Sequence, residues 1–179
     1  MALNETGKHI FQSIKEEYVT IAGAQGALKD DRAVILGGGV SGVAAAARLL
    51  SMGIEKVTIT DIQPSRVETL KDMFAEYGER VQVLLEDKDI NNPSAQLLAA
   101  YKEADYLYGC ILVPGTQTPQ MSTELLAEIS EKSKSLIVDI ALDQGGNFPD
   151  AYSRHYDDPA YVDEFGNVRF SVPNMPLNQ

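Results

Sequence analysis

Short aliphatic runs alternate with longer amphipathic stretches along the chain from Arg32 onward. This alternation is typical of βα units packed around a parallel sheet. The aliphatic runs predict six strands, at residues 33–36, 57–60, 81–85, 106–113, 136–140 and 168–172. The amphipathic stretches predict four helices, at residues 41–51, 65–77, 93–101 and 123–131. The pattern therefore predicts an α/β fold with a doubly wound, mostly parallel sheet and helices on both faces.

The chain outside this alternating region forms two further segments. Apolar residues recur at helical spacing near the N-terminus, which predicts an amphipathic helix over residues 9–18, followed by an irregular connection. After Gly146 the composition shifts to Tyr, Asp, Pro and Asn. We therefore expect a helix and connection over residues 1–30, the main α/β domain over 31–146, and a loop and strand over 147–179 that complete this domain.

A glycine-rich turn follows the first predicted strand. Gly37, Gly39 and Gly42 form the pattern G-x-G-x-x-G and lead directly into an alanine-rich helix. The first glycine permits a tight turn, the second lets a pyrophosphate approach the backbone, and the third lets the helix pack closely on the strand. The N–H groups at the helix start, around Val40 and Ser41, would then face the phosphates. Strand, turn and helix together predict a Rossmann-type dinucleotide-binding domain.

An acidic residue ends the second predicted strand. Asp61 lies nineteen residues after Gly42, where a carboxylate accepts hydrogen bonds from the adenosine ribose. A 2′-phosphate would meet the same negative charge, and neither Ile62 nor Gln63 is basic. The sequence therefore predicts NAD rather than NADP, with Ile62 and Arg66 among the cofactor-binding residues. The glycine turn by itself leaves S-adenosylmethionine and FAD as alternatives.

Composition and charge limit the partners and the cellular compartment that we expect for this chain. The chain has 26 acidic and 15 basic residues, and the net charge of -11 disfavours a nucleic-acid partner. The single cysteine, Cys110, excludes an intramolecular disulfide, and we expect it to be a packing residue. The N-terminal stretch offers no apolar signal core, and no stretch reads as a membrane span. We therefore expect a cytoplasmic protein whose partner is a small-molecule dinucleotide, with no membrane partner and no metal site.

Four stretches resemble the NAD domain of alanine dehydrogenases, with the proton-translocating nicotinamide nucleotide transhydrogenases as more distant relatives. They are residues 34–42, the run Ile111-Leu112-Val113-Pro114-Gly115, residues 137–146, and Asn174-Met175-Pro176. The second half of residues 137–146 contains Asp-Gln-Gly-Gly, an order that favours alanine dehydrogenase over transhydrogenase. Together the stretches span most of the chain from about residue 18 to residue 176.

The resemblance implies roles for the residues of the adenosine half and of the groove. Ser41 would contact the pyrophosphate, Asp61 the adenosine ribose and Arg66 the adenine end. Ile111 and Leu112 would line the dinucleotide groove. Without the family, Ile111 and Leu112 fit an ordinary core equally well.

For the nicotinamide half, the resemblance implies that residues 140–143, from Ile140 to Asp143, approach the ring. Asp143 is similar to the family's active-site aspartate, and Asn174 and Met175 to the loop that closes over the nicotinamide. Without the family, Asp143 and the two glycines after it fit a simple turn. His155, in a polar loop, is expected to be solvated.

Alanine dehydrogenases resembling this chain carry a second, larger domain that supplies a lysine and a histidine to the substrate. Nothing in this sequence corresponds to it, so we expect the NAD domain alone. Two hypotheses follow. In the first, the chain is the NAD-binding part of an amino-acid dehydrogenase, working with a catalytic domain on another chain or excised from a longer one. In the second, it is a catalytically silent NAD-binding module that senses or recruits. A homo-oligomer also stays open. Tyr106 and Tyr108 replace the usual aliphatic residues and are expected to mark a surface or groove that differs from the family.

Overall fold

The computed structural model describes residues 28–155 and 157–171. Seven strands form one sheet, and β1 to β7 span Arg32–Leu36, Lys56–Asp61, Val81–Leu85, Tyr106–Gly109, Leu136–Asp139, Ala160–Val162 and Val168–Phe170. Their spatial order is β3-β2-β1-β4-β5-β7-β6. All neighbours pair in parallel except β6, which runs antiparallel to β7. The chain therefore reverses its direction of winding between β1 and β4, where ligands bind in such sheets.

Four helices cover the two faces of the sheet. They are α1 to α4, at Val40–Ser51, Pro64–Met73, Ala95–Lys102 and Thr123–Ser130. Helices α1 and α2 pack on one face through Ala46, Leu49 and Leu70, while α3 and α4 pack on the other through Leu97 and Ile129. The structure thus confirms the predicted doubly wound α/β fold with helices on both faces.

The central strands are buried on both sides. In β1, Ala33 and Ile35 face the core under α1 and α2, whereas Val34 and Leu36 face the core under α3 and α4. All four are at most 2% exposed. This is why the sequence shows unbroken aliphatic runs here rather than an alternation of apolar and polar residues.

Several predicted boundaries differ from the structure. Strand β4 ends at Gly109, not at residue 113, and β7 ends at Phe170, not at residue 172. Helix α2 ends at Met73, and a separate 3-10 segment, Ala75–Arg80, follows it with Gly78 at a φ of +55°. Strand β6 was not predicted. The predicted helix over residues 9–18, Asn174 and Met175 lie outside the described residues.

Tyr106 and Tyr108 do not form a surface or groove, which corrects the expectation from sequence. Both side chains are 5% exposed and belong to the core under α1. The Tyr106 hydroxyl donates a hydrogen bond to Oδ2 of Asp31 at 3.1 Å, so the polar end of this buried ring has a partner. None of the helices within the described ranges has the length and apolarity that a membrane span requires.

Candidate functional site

Close backbone contacts hold the glycine turn after β1. Gly37 has a φ of +96°, and a Cβ built on it would lie 2.9 Å from the carbonyl oxygen of Cys110, just beyond β4. A Cβ on Gly42 would lie 1.9 Å from the carbonyl oxygen of Gly37. Gly37 is therefore required by its backbone conformation and by the approach of the β4 end, and Gly42 by the packing of α1 against the turn.

Gly39 lies in a different environment. A Cβ there would meet no heavy atom within 4 Å. Gly39 is the N-cap of α1, with no side-chain capping hydrogen bond and no acidic residue in the first turn, and Val40 beside it is 81% exposed. The first N–H groups of a helix have no partner within the helix. Here they lie beside an open volume together with the positive end of the helix dipole, an arrangement that favours an anion.

Asp61 and Arg66 meet at the same turn, around Gly38. Asp61 Oδ1 accepts a hydrogen bond from the Gln63 N–H at 2.9 Å, and its Oδ2 lies 3.1 Å from the position of a Cβ on Gly38. Arg66 Nε donates to the carbonyl oxygen of Gly38 at 2.7 Å. The structure therefore brings the predicted ribose acid next to the predicted phosphate turn. Arg66 ties this turn to the first turn of α2, and its contact with adenine stays a prediction.

Four apolar side chains lie in the loops at the carboxyl edge of the sheet. Ile62, directly after β2, is 46% exposed, and Leu112, in the loop after β4, is 52% exposed. Ile111 and Ile140 are half-buried, and each packs partly against one of the two cores. Ile62 and Leu112 thus expose apolar surface at this edge, while Ile111 and Ile140 also pack against the core.

Asp143 lies in the short 3-10 helix Leu142–Gln144 that follows β5. The residue is exposed. Gly145 and Gly146 after it have φ values of +102° and +78°, conformations that favour glycine. The two glycines therefore turn the chain sharply back toward the end of β5. Asp143 is held at the same edge of the sheet as the glycine turn.

Two buried polar residues at this edge, Asp139 and Asn147, were missed by sequence reasoning. Asp139 ends β5, and its carboxylate accepts hydrogen bonds from the N–H groups of Ala141, Asn147 and Phe148. Burial raises the pKa of Asp139, and the three N–H groups and the charge of Arg169 only partly offset this effect. An aspartate closing an apolar strand and an asparagine directly after Gly-Gly were the available signals.

Cys110 has the environment of a packing residue. It is 8% exposed, and burial raises the pKa of its thiol to about 12. A thiol with so high a pKa holds almost no thiolate near neutral pH, and only the thiolate is a good nucleophile. The structure therefore supports the expectation that Cys110 packs in the core rather than reacts.

Comparisons with known proteins agree with this geometry. The family model described as alanine dehydrogenase/PNT, C-terminal domain, matches residues 4–178. Alanine dehydrogenase 2 of Staphylococcus aureus (strain USA300) is 33% identical over 174 residues, which are 96% of this chain and 43% of that protein. A solved L-alanine dehydrogenase has a TM-score of 0.74 at 34% identity, covering 93% of this chain and 45% of that chain. The glutamyl-tRNA reductase of Methanopyrus kandleri, at a TM-score of 0.54, 15% identity and coverages of 84% and 32%, shares the fold alone.

The chain therefore spans less than half the length of the alanine dehydrogenases that it matches. The family match nevertheless includes every described residue of the sheet, the glycine turn and the loops after β4 and β5. On this match and on the fold, the chain belongs to the alanine dehydrogenase/PNT C-terminal domain family, a family of dinucleotide-binding domains.

Proposed function

We propose that this chain is the NAD(H)-binding part of an alanine dehydrogenase-like amino-acid oxidoreductase. One observation carries the proposal: an open glycine turn at the start of α1 lies directly beside an acidic residue at the end of β2. The turn suits a pyrophosphate, and the acid suits a ribose diol. Gly39 has an ordinary φ of -69°, and a Cβ there would meet no atom within 4 Å, so neither the backbone conformation nor packing requires glycine at this position.

The described residues would hold the pyrophosphate and the adenosine ribose of a dinucleotide. The N–H groups around Val40 and Ser41 would hold the pyrophosphate. The Gln63 N–H already donates a hydrogen bond to Oδ1 of Asp61. We therefore propose that the ribose hydroxyls donate to Oδ2. The charge of Asp61 would repel a 2′-phosphate, which is the reason for proposing NAD over NADP.

The nicotinamide half would lie over the loops after β4 and β5. Leu112 exposes apolar surface there, and the half-buried Ile111 and Ile140 expose a smaller part of their side chains. The nicotinamide, when bound, exchanges hydride with the substrate. We propose that Asp143, exposed at this edge, holds or transfers a proton of the substrate, and that Asn174 and Met175 belong to the same site.

The groups that bind the amino acid would come from a catalytic half outside these 179 residues, on a longer chain or on a second subunit. Support for this part is the coverage of only 43% of the curated relatives' length. We further propose that the protein acts in the cytoplasm, as the single cysteine and the use of NAD suggest. Self-association into a homo-oligomer is compatible with this proposal.

Calorimetric titration of the purified chain with NADH, NADPH and S-adenosylmethionine tests the cofactor assignment. We expect NADH to bind, NADPH to bind more weakly and S-adenosylmethionine not to bind. Asp61→Ala should weaken the binding of NADH by about 1–3 kcal/mol, the usual cost of losing hydrogen bonds to a charged group. It should also reduce the difference between the affinities for NADH and NADPH. Equal affinities of the wild type for NADH and NADPH would overturn the assignment.

A further inference from the structure

Two buried side chains connect the loops at the carboxyl ends of β4 and β5. Asn147 is 0% exposed and Asp139 is 6% exposed. In the part of the chain that the structure describes, both side chains form hydrogen bonds only with backbone groups of these loops. The pair is therefore placed to fix how the two loops lie relative to each other.

Asp139 closes the loop after β5 onto its own strand. Oδ1 accepts from the Ala141 N–H at 3.2 Å, and Oδ2 accepts from the N–H groups of Asn147 at 2.7 Å and Phe148 at 3.1 Å. The first of these donors precedes Asp143 in the chain and the other two follow it. Asp143 therefore lies in a segment held at both ends by one carboxylate.

Asn147 then joins this segment to the loop after β4. Its Oδ1 accepts from the Ile111 N–H at 3.0 Å, and its Nδ2 donates to the carbonyl oxygens of Ile111 at 3.2 Å and Pro119 at 3.0 Å. Its backbone carbonyl oxygen accepts from the Met121 N–H at 2.8 Å. The side chain thus bonds Ile111 as a neighbouring strand would, at the point where β4 has already ended.

The surroundings leave these side chains little freedom. A Cβ on Gly109 would lie 2.9 Å from Asn147 Oδ1 and 3.0 Å from Asp139 Oδ1, and a Cβ on Gly146 would lie 2.7 Å from Asp139 Oδ2. Both glycines therefore make room for the pair. Within residues 28–155 and 157–171, neither side chain forms a hydrogen bond with the glycine turn or Asp61.

We propose that Asp139 and Asn147 are positioning residues of the nicotinamide half: they hold the segment carrying Asp143 at a fixed place against Ile111 in the loop after β4. The inference rests on the proposed NAD site. The adenosine half is built from β1, β2 and the turn, and the pair reaches it only through Ile111, whose N lies 3.1 Å from the position of a Cβ on Gly37. We therefore expect the pair to act mainly on the nicotinamide half of the dinucleotide. Loss of the pair should weaken ligands that carry nicotinamide and spare those that lack it.

The test compares NADH with ADP-ribose, which has the adenosine half and both phosphates but no nicotinamide, on the full 179-residue chain. We expect Asn147→Ala to raise the Kd of NADH about tenfold, because binding would then have to order the two loops that Asn147 holds together in the wild type. The Kd of ADP-ribose should stay within about twofold of the wild-type value. The fluorescence anisotropy of bound NADH, which reports on the nicotinamide ring, should fall in the variant.

Asn167→Ala is the matched control. Asn167 is 1% exposed, and its side chain also bonds a backbone N–H, that of Ser135, but away from the two loops. Both variants should lower the unfolding temperature, yet only Asn147→Ala should change the ratio of the two Kd values. If Asn147→Ala does not fold, Asp139→Asn provides the same comparison, because it keeps the side-chain size and replaces one acceptor oxygen by a donor.

The outcomes separate the two proposals. The inference would be overturned if Asn147→Ala weakened the binding of NADH and of ADP-ribose equally, or if Asn167→Ala changed the ratio of the two Kd values in the same way. Either result would mean that the pair contributes only to the stability of the fold. Equal Kd values of NADH and ADP-ribose in the wild type would also overturn it, while the adenosine site of the proposed function would stand. Failure of the wild type to bind ADP-ribose and NADH would overturn the proposed function itself.

Discussion

Gly39 and Gly42 are three residues apart, yet the structure predicts opposite effects of adding a side chain at the two positions. A Cβ on Gly42 would lie 1.9 Å from a backbone oxygen, whereas a Cβ on Gly39 would meet nothing within 4 Å. Backbone cannot yield as a flexible side chain can, so Gly42 is fixed by folding. Packing places no constraint on Gly39, and the constraint we propose there comes from the ligand.

Gly39→Val should therefore leave the fold intact and abolish NADH binding, since the new side chain would occupy the space of the pyrophosphate. Gly42→Ala should instead lower the free energy of unfolding by about 1–3 kcal/mol or more through overpacking. Denaturant unfolding and calorimetric titration of both variants measure the two effects. Retained NADH binding in a folded Gly39→Val variant would place the nucleotide elsewhere.

Asp139 should make the free energy of unfolding depend on pH. Burial raises its folded pKa above the ordinary value of 3.8, so the fold favours the protonated form. The stability that Asp139 contributes is then fully present below pH 3.8 and is lost as the pH rises through the folded pKa. The free energy of unfolding of the wild type, minus that of Asp139→Asn, should fall over this interval in urea titrations. A difference that grows with pH would mean that the three N–H groups outweigh burial.

Among the elements, the sequence predicted those that alternate along the chain and missed those that depend on distant partners. Strands β1, β2, β3 and β5 and all four helices were expected near their observed places, because each has its own apolar pattern. Residues 110–113 continue the aliphatic run of β4, but Asn147 takes the place of a neighbouring strand at Ile111. No local pattern could show that contact.

The hairpin of β6 and β7 was predicted only in part for the same reason. Strand β6 has three residues, and β7 carries a buried arginine. Arg169 Nε donates to Asp163 Oδ2 at 2.8 Å, with side-chain exposures of 4% and 8%. Asp163 also accepts hydrogen bonds from Asn167 and from the Phe165 N–H. A polar cluster holds this edge of the sheet, where an apolar pattern would have been the sequence signal.

Breaking this buried pair should be costly. Asp163→Ala should lower the free energy of unfolding by about 3–5 kcal/mol, because the Arg169 charge would stay buried without its partner. Asp158→Ala, which removes the partner of Arg154 at a position where the Asp158 side chain is 66% exposed, should cost less than about 1 kcal/mol. Denaturant unfolding of the two variants gives the comparison. Similar losses would show that Arg169 finds another partner.

At the scale of the whole molecule, the sequence indicated the candidate residues that spacing along the chain identifies, and it missed those that depend on contacts in space. The glycine turn and Asp61 could be predicted because their spacing along the chain is itself the signal. Asp139 and Asn147 could not, since their role depends on two loops meeting in space. Asp143 was assigned through a family resemblance, and the structure adds that it is exposed at the carboxyl edge of the sheet.

The purified chain should bind NAD yet show no measurable oxidative deamination of L-alanine. Holding a substrate in near-attack geometry against the nicotinamide supplies about 7–11 kcal/mol of barrier lowering, and we place the groups that do so on another half. A general acid or base such as Asp143 contributes about 10²–10⁴-fold and acts on a substrate already in place. Absorbance of NADH at saturating L-alanine is the measurement. Turnover that Asp143→Asn removes would show a complete active site within these 179 residues.

The exposed apolar side chains at the carboxyl edge of the sheet should determine how the binding enthalpy changes with temperature. Among the described residues, five of the eight large hydrophobic side chains that are exposed lie at the carboxyl edge: Val40, Ile62, Leu85, Leu112 and Val113. Water that orders around such surface is released when a flat aromatic ring covers it, which makes the heat capacity change of binding negative. The binding enthalpy of NADH should therefore become more favourable with each degree of warming, with a shallower slope for ADP-ribose. Calorimetry at four temperatures gives the slope of binding enthalpy against temperature for both ligands. A zero slope for NADH would mean that these side chains stay exposed to water in the complex.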